Sequence, residues 1–527
     1  MLRTKKFNAV LFVLLLSVLA VLLAACSERE EYVVLSTIEP ISGGQSVTVP
    51  TSHSEPQQEY RIDTYIILNN EDTTINGDGA SFNNNVLSIT SKGSYFIKGS
   101  LNGTIEVKCR KGDVRLFLSG VSVECEKSSA LFCSSGKCRL SLITVENTVN
   151  YFLRHAEGDS KEHSAVFSKG NLSVEGDGSL AIICSSGNGI SCLRSVTFKS
   201  GSTDIQSSGY AVRAHNNLKI SGGTLGISSK TTAVFVGGDH STLSLEGGKT
   251  NISGIECCLK SSFDVAVSGG KHELISGGGS TDEITVQKQT LQSHAVSQGD
   301  DKITTGPAGN SKAIDANGSI LLSGGNIYAN SNADAFCASD VIAISGGAHS
   351  IRADGTALLS EKTLSISGGE TEIDFCGKGI ETETLIFSSG KLRISAKHTA
   401  AGIEKNMFQS GGTLVALSSD SEISSAVDFG KSCSISGGTL FAAGGTKKLR
   451  ELDDSATPSV SLKRKLSGGS LLTIVRDNTT ILGTLVPFNC NDAVLFSDLL
   501  TSKASYKIYA GTTTGDESVL VATVTAK

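Results

Sequence analysis

Ile344-Ser345-Gly346-Gly347, Ala357-Leu358, Ile366-Ser367-Gly368-Gly369 and Gly379-Ile380 follow one another along the chain. The two glycine pairs are offset by 368 − 346 = 22, and the two small–apolar pairs interleaved with them by 379 − 357 = 22. Working outward, the glycine pair recurs at Gly222-Gly223, Gly247-Gly248, Gly269-Gly270, Gly324-Gly325 and Gly437-Gly438. Its successive first glycines follow at steps of 25, 22, 55, 22, 22 and 69, and degenerate copies at Ser389-Gly390 and Gly411-Gly412 fill the last gap. The small–apolar mark recurs at Gly189-Ile190, Ala211-Val212, Ala233-Val234, Gly254-Ile255, Ala313-Ile314, Ala335-Phe336, Gly402-Ile403 and Ala426-Val427. Over its ten occurrences the steps are 22, 22, 21, 59, 22, 22, 22, 23 and 24.

Between the marks the residues alternate, as in Leu364-Ser365-Ile366 and Glu372-Ile373-Asp374-Phe375, which is the period of a strand. The glycine pair supplies a corner where positive φ is inexpensive. A unit of this length is too short for a propeller blade and lacks the leucine-rich ladder. The period therefore predicts an all-β fold, a right-handed parallel β-helix of about 22 residues per coil, with coils ~4.8 Å apart and like positions stacked. The step of 59 predicts two coils plus an insertion of about 15 residues, placed in the polar stretch 277–312 and read as a loop projecting from one corner.

Composition agrees with a folded chain. Of 527 residues, 39% are apolar and 19% charged, too ordinary for disorder, and the 58 glycines follow no three-residue period. No Trp is present, so the usual aromatic sugar platform is absent, and binding of a glycan is expected to rely on Tyr, Asn and Asp contacts. Residues 1–25 read as an export signal: Arg3, Lys5 and Lys6 precede an apolar run from Ala9 to Leu23, and Leu23-Ala24-Ala25-Cys26 resembles a bacterial lipobox. That resemblance implies cleavage before Cys26, lipidation of its thiol, and a bacterial cell-envelope location with membrane attachment through the lipid. Cleavage removes three positive charges, so the net charge goes from −6 to −6 − 3 = −9. An acidic chain disfavours nucleic acid as a partner and is compatible with a neutral polymer or a divalent cation. Twelve cysteines remain after Cys26. Their spacing fits no zinc pattern, and most are expected to be core residues, although export permits disulfides.

The stretches Ile75-Asn76-Gly77-Asp78-Gly79, Gly93-Ser94-Tyr95-Phe96-Ile97-Lys98-Gly99, Glu146-Asn147-Thr148-Val149 and Leu172-Ser173-Val174-Glu175-Gly176-Asp177-Gly178 resemble the carbohydrate-binding β-helix family typified by a clostridial cellulose- and pectin-binding surface protein. So does the ending Val494-Leu495-Phe496-Ser497-Asp498-Leu499, and the likeness runs over roughly 60–515. It implies a pectate-lyase-like β-helix displayed outside the cell, binding of plant-type polysaccharide, and bound calcium. The resulting organisation is a signal peptide at 1–25, a lipidated tether at 26–59, a binding β-helix at 60–445, a linker at 446–468 and a C-terminal β segment at 469–527, in a monomer.

Calcium needs six to eight oxygens, which stacked coils can supply from neighbouring rows. Asp315, Asn332, Asp334 and Asp354 come from successive coils near one corner and are the candidate ligands; exposed-turn residues are the alternative. Glu381, Glu404 and Asp428 predict an acidic line that serves either a glycosidase or a solvated face. Lys312 and Lys378 are the lysines to test as the base of a lyase. The reading is thus a lipid-anchored binder of cellulose- or pectin-type polysaccharide. A lyase or hydrolase of the same fold and an adhesin with a protein partner are the alternatives.

Overall fold

The computed structural model describes residues 46–48, 59–155, 164–280, 310–419, 424–452, 456–511 and 518–527, all within the unit Ser46–Lys527. The signal segment, Cys26 and most of the tether and of the insertion lie outside the described residues. The chain is an all-β solenoid of about 13 parallel turns followed by a separate antiparallel sheet.

Each coil contributes one strand to each of three parallel sheets, A, B and C in chain order. Sheet A contains Asn188–Cys192, Val212–Ala214, Thr232–Val236, Cys257–Ser261, Lys312–Ala316 and Asp334–Ala338. Sheet B contains Val196–Phe198, Leu218–Ile220, Thr242–Leu245 and Asp264–Val267. Sheet C contains Ser202–Ser207, Thr224–Ser229, Lys249–Gly254, Lys271–Ser276 and Asn326–Ser331. The registers stack like on like: Ile190 lies opposite Val212, then Val234, Leu259, Ile314, Phe336 and Leu358. All seven side chains are buried in one continuous core, which is how a repeat unit with little core of its own becomes stable.

The glycine pair forms the corner from sheet B to sheet C. Gly347 has φ 89°, and a Cβ there would stand 2.5 Å from the carbonyl oxygen of Gly325 in the preceding coil. A Cβ on its neighbour Gly346 would stand 2.5 Å from the Ser323 oxygen. The backbones of successive corners are therefore in direct contact, and any side chain would force them apart.

The long step resolves differently from the sequence reading. Thr232 pairs with Cys257 and Val234 with Leu259, so Cys258 falls opposite Ala233, and Cys258-Leu259, not Gly254-Ile255, is the mark of that coil. Leu259 then pairs directly with Ile314. The step is 314 − 259 = 55, one coil of 22 plus an insertion of 33, rather than two coils plus 15. Its roots are the described ends of the 277–312 stretch. The 446–468 segment is also more than a linker, since it contains the helix Lys447–Arg450 and the strand Ser459–Leu462. That strand pairs antiparallel with Ala493–Ser497, which itself runs antiparallel along the last coil strand, Ser432–Ala443. The remaining C-terminal strands, Ser470–Arg476, Thr479–Val486, Ser505–Gly511 and Val519–Thr525, form the four-stranded antiparallel sheet.

The twelve described cysteines are free, and all but Cys433 are buried. Burial pushes the Cys257, Cys258 and Cys376 thiols up, as expected of cysteines serving as small apolar core residues.

Candidate functional site

The outward positions of sheet A make one row, a residue per coil. Phe132 pairs with Phe167, Phe167 with Ser191, Ser191 with Arg213, Arg213 with Phe235, Phe235 with Lys260, and Lys260 with Asp315. Phe132 and Phe167 are stacked, with centroids 5.3 Å apart and planes at 13°. Tyr210, at the corner leading into the sheet, stacks on Phe235 at 5.2 Å and 23°, and the Arg213 guanidinium lies 5.8 Å from the Tyr210 centroid. All four rings are half-buried, and in each stack the faces turned toward one another are covered, so the stacks form apolar ridges on a surface without Trp. The absence of Trp pointed to Tyr, Asn and Asp as the binding groups, and the phenylalanines were missed. Their signal is in the mark itself: Ala130-Leu131-Phe132, Ala165-Val166-Phe167 and Ala233-Val234-Phe235 each carry Phe immediately after the small–apolar pair.

The row then becomes charged. Asp315 receives Lys312 Nζ at 2.9 Å and Lys260 Nζ at 3.1 Å, one on each carboxylate oxygen. Burial works against ionisation of Asp315, but the two ammonium groups outweigh it and hold its carboxyl below the usual range. Lys312 is likewise held charged, because the Asp315 bond outweighs burial. A lyase base must shed its proton near neutrality, so this pairing acts against that role for Lys312. Lys378 is paired with Glu381.

The other calcium candidates lie at the corner from sheet C to sheet A, apart from Asp315. Asn332 is buried and its Oδ1 accepts from Ser311 Oγ at 3.0 Å. Asp334 Oδ1 accepts from the Thr356 N–H at 2.7 Å, capping the next coil. Asp354 Oδ1 accepts from Ser280 Oγ at 2.5 Å, and the Ser280 N–H donates to Asn330 Oδ1 at 2.7 Å. Ser280 and Ser311 are the two ends of the insertion, so Asn332 and Asp354, together with Asn330, tie down its roots. Among the described residues no three carboxylate, His or Cys side chains are placed to hold a metal ion. The four candidates therefore do not converge as a preformed cage.

Further along the sheet A face, a cleft of 430 Å³ gathers Glu361, Glu381, Glu383, Glu404 and Asp428. The acidic line is not in the register the sequence suggested: Glu381 faces Gly402, which faces Asp428, while Glu404 sits two places further on. The cause is the pairing of Ile380 with Ala401, a step of 401 − 380 = 21 where the marks suggested 23. Lys378, Lys405 and Lys448 pair with Glu381, Glu383 and Asp428, three of the five carboxylates, as on a solvated face.

A second recess, a groove of 410 Å³, follows the sheet C to sheet A corner past Gln206, Ser228 and Ser253.

Residues 83–340 match the model of a family described as carbohydrate-binding domain-containing proteins, a span that includes Phe132, Phe167, Phe235 and the serine-lined groove. This agrees with the resemblance drawn from the sequence motifs. A polysaccharide lyase-like protein from C. thermocellum, solved as a gadolinium derivative, is similar to 41% of this chain over 92% of its own, at 20% identity and a TM-score of 0.39. No curated protein matches the sequence.

Proposed function

We propose, from the carbohydrate-binding family match over residues 83–340, that this protein binds an extended polysaccharide of the cellulose or pectin class along the outer face of sheet A. The observation that carries the proposal is the two ring stacks on this face, Phe132 on Phe167 across neighbouring sheet A strands ~4.8 Å apart and Tyr210, at the corner, on Phe235. A glycan laid along the solenoid axis meets one outward side chain per coil. The apolar face of a sugar ring packs against the exposed edges of these rings, and its hydroxyls reach Arg213 and Lys260 in the same row. Each contact is weak, and repetition along one chain adds them.

Calcium enters this reading only as a bridge. Asp334 and Asp354 present too few oxygens for six- to eight-fold coordination, so the remaining donors would come from uronate carboxylates of a bound pectic chain. Attachment to the bacterial envelope through a lipid on Cys26 completes the proposal. It rests on the Leu23-Ala24-Ala25-Cys26 motif, and Cys26→Ser is expected to shift the protein from the detergent phase to the aqueous phase on phase separation.

The direct test is retention on insoluble cellulose and on pectate, with and without a chelator. Retention on at least one polymer is expected. Loss on pectate alone after chelation supports the calcium bridge, retention unchanged by the chelator removes calcium from the account, and retention on neither polymer refutes polysaccharide binding.

A further inference from the structure

The groove at the sheet C to sheet A corner is separate from the aromatic row. It runs along the solenoid over five coils, its floor formed by the register row Ile183, Gln206, Ser228, Ser253 and Ile275. Four steps of ~4.8 Å give it a length of roughly 19 Å. Its chemistry differs from that of the rest of the surface. Among the described residues no carboxylate lines it, Lys230 is its one cationic side chain, and Ser185, Ser208, Ser228 and Ser253 are among its hydroxyls. A hydroxyl both donates and accepts, which suits it to other hydroxyls and gives no preference for charge.

The groove also has a stop. The next position in the row is Asn330, opposite Ile275. Asn330 is covered: its Oδ1 takes the Ser280 N–H at 2.7 Å, and a Cβ on Gly279 would stand 2.7 Å from its Nδ2. Gly278 closes the lining at that end. The stop is held in place because Ser280 also donates to Asp354. An extended chain following the serine row therefore cannot continue past Ile275 on the same line.

We infer that this groove is a terminal subsite, which takes the end of a neutral glycan chain, about four sugar rings, with the terminal ring against Gly278. The inference rests on the polysaccharide-binding reading and adds to it a second, end-specific site beside the face that meets the chain along its length. A polymer held on sheet A and a free chain end in the corner groove would bind at once, so the protein would favour frayed or cut polymer over an intact surface.

The test uses the full chain and soluble neutral oligosaccharides of two to eight units from β-1,4-glucan, xylan and mannan, titrated calorimetrically. Affinity for one of the three series is expected to rise up to about four units and then level. Ser228→Tyr combined with Ser253→Tyr, both on the outer face of their strands, is expected to lower that affinity at least tenfold while leaving the melting temperature unchanged and the protein still retained on insoluble polymer. Affinity that climbs steadily through eight units overturns the inference, because it requires a groove open at both ends. So does an affinity that the double substitution does not move, or the binding of no oligosaccharide while the insoluble polymer is still retained. In these cases polysaccharide binding stands. Loss of both oligosaccharide and polymer binding in the unsubstituted protein overturns the inference and the reading beneath it together.

Discussion

Gly347 and Asn150 show how much of the fold rests on single positions. At Gly347 the positive φ and the 2.5 Å approach to Gly325 combine, so Gly347→Ala must both adopt a strained backbone and open the stack. A loss of about 1–3 kcal/mol is expected, read as a lower urea midpoint. Asn150 is fully buried; its Oδ1 accepts from the Val121 N–H at 2.9 Å and its Nδ2 donates to the Ser179 oxygen at 3.1 Å, tying three coils together. Asn150→Ala leaves the buried Val121 N–H without its side-chain acceptor and should cost about 1–3 kcal/mol by the same measurement. The Gly347 role was readable in the sequence, because the glycine pair repeats with the period. That of Asn150 was not, since its partners lie more than a coil away on either side. The same divide separates Phe167 from Asp315. Phe167 sits beside its mark and could have been read, whereas the fate of Asp315 depends on Lys260, which lies on the far side of the insertion and was placed in no row.

Strands of sheet C carry two buried histidines on the inward row, His272 and His349. His272 Nε2 lies 2.7 Å from the Gly269 oxygen and its Nδ1 lies 3.0 Å from Thr250 Oγ1; His349 Nε2 lies 3.0 Å from the Gly346 oxygen. Burial lowers both pKa values, and the glycine carbonyls oppose it only in part. The unfolded chain takes up these protons near pH ~6.5, while the folded chain resists until the pH is lower. Stability therefore falls as pH drops from about 6.5 through the depressed folded values, and this loss is absent above pH ~7. The urea midpoint should be lower at pH 5.5 than at pH 7.5, and His272→Gln with His349→Gln should flatten that difference; an equal slope in the variant would contradict the assignment. At this scale the strands and corners were legible from alternation and glycine spacing. The coil count across the long gap was not, because a step of 314 − 259 = 55 divides as readily into two coils plus 11 residues as into one coil plus 33, and only the direct pairing of Leu259 with Ile314 selects the second.

A stack of parallel coils leaves an open strand edge at its end, a template for association unless it is covered. Here Ala493–Ser497 covers Ser432–Ala443 in the antiparallel sense, with Ser459–Leu462 paired beyond it. A chain ending at residue 445 should thus oligomerise or precipitate, whereas the full chain stays monodisperse in size-exclusion chromatography with light scattering. Repetition gave no hint of this cover, because antiparallel pairing between 432–443 and 493–497 bridges segments with no shared period. The pairing of the strands places Phe132, Phe167 and Phe235 along one face, an alignment that repetition did not reach for the first two, which lie before its first mark at Gly189. The most direct measurement on that face is the adsorption isotherm of Phe167→Ala with Phe235→Ala on the insoluble polysaccharide that retains the unsubstituted protein. Both rings project from the outer surface, so the fold should hold with a modestly lower melting temperature from the lost stacking on Phe132 and Tyr210, while affinity falls about tenfold or more, given ~0.5–1.5 kcal/mol per aromatic contact plus lost contact area. An isotherm superimposable on that of the unsubstituted protein would show that the sheet A face is not where the glycan binds.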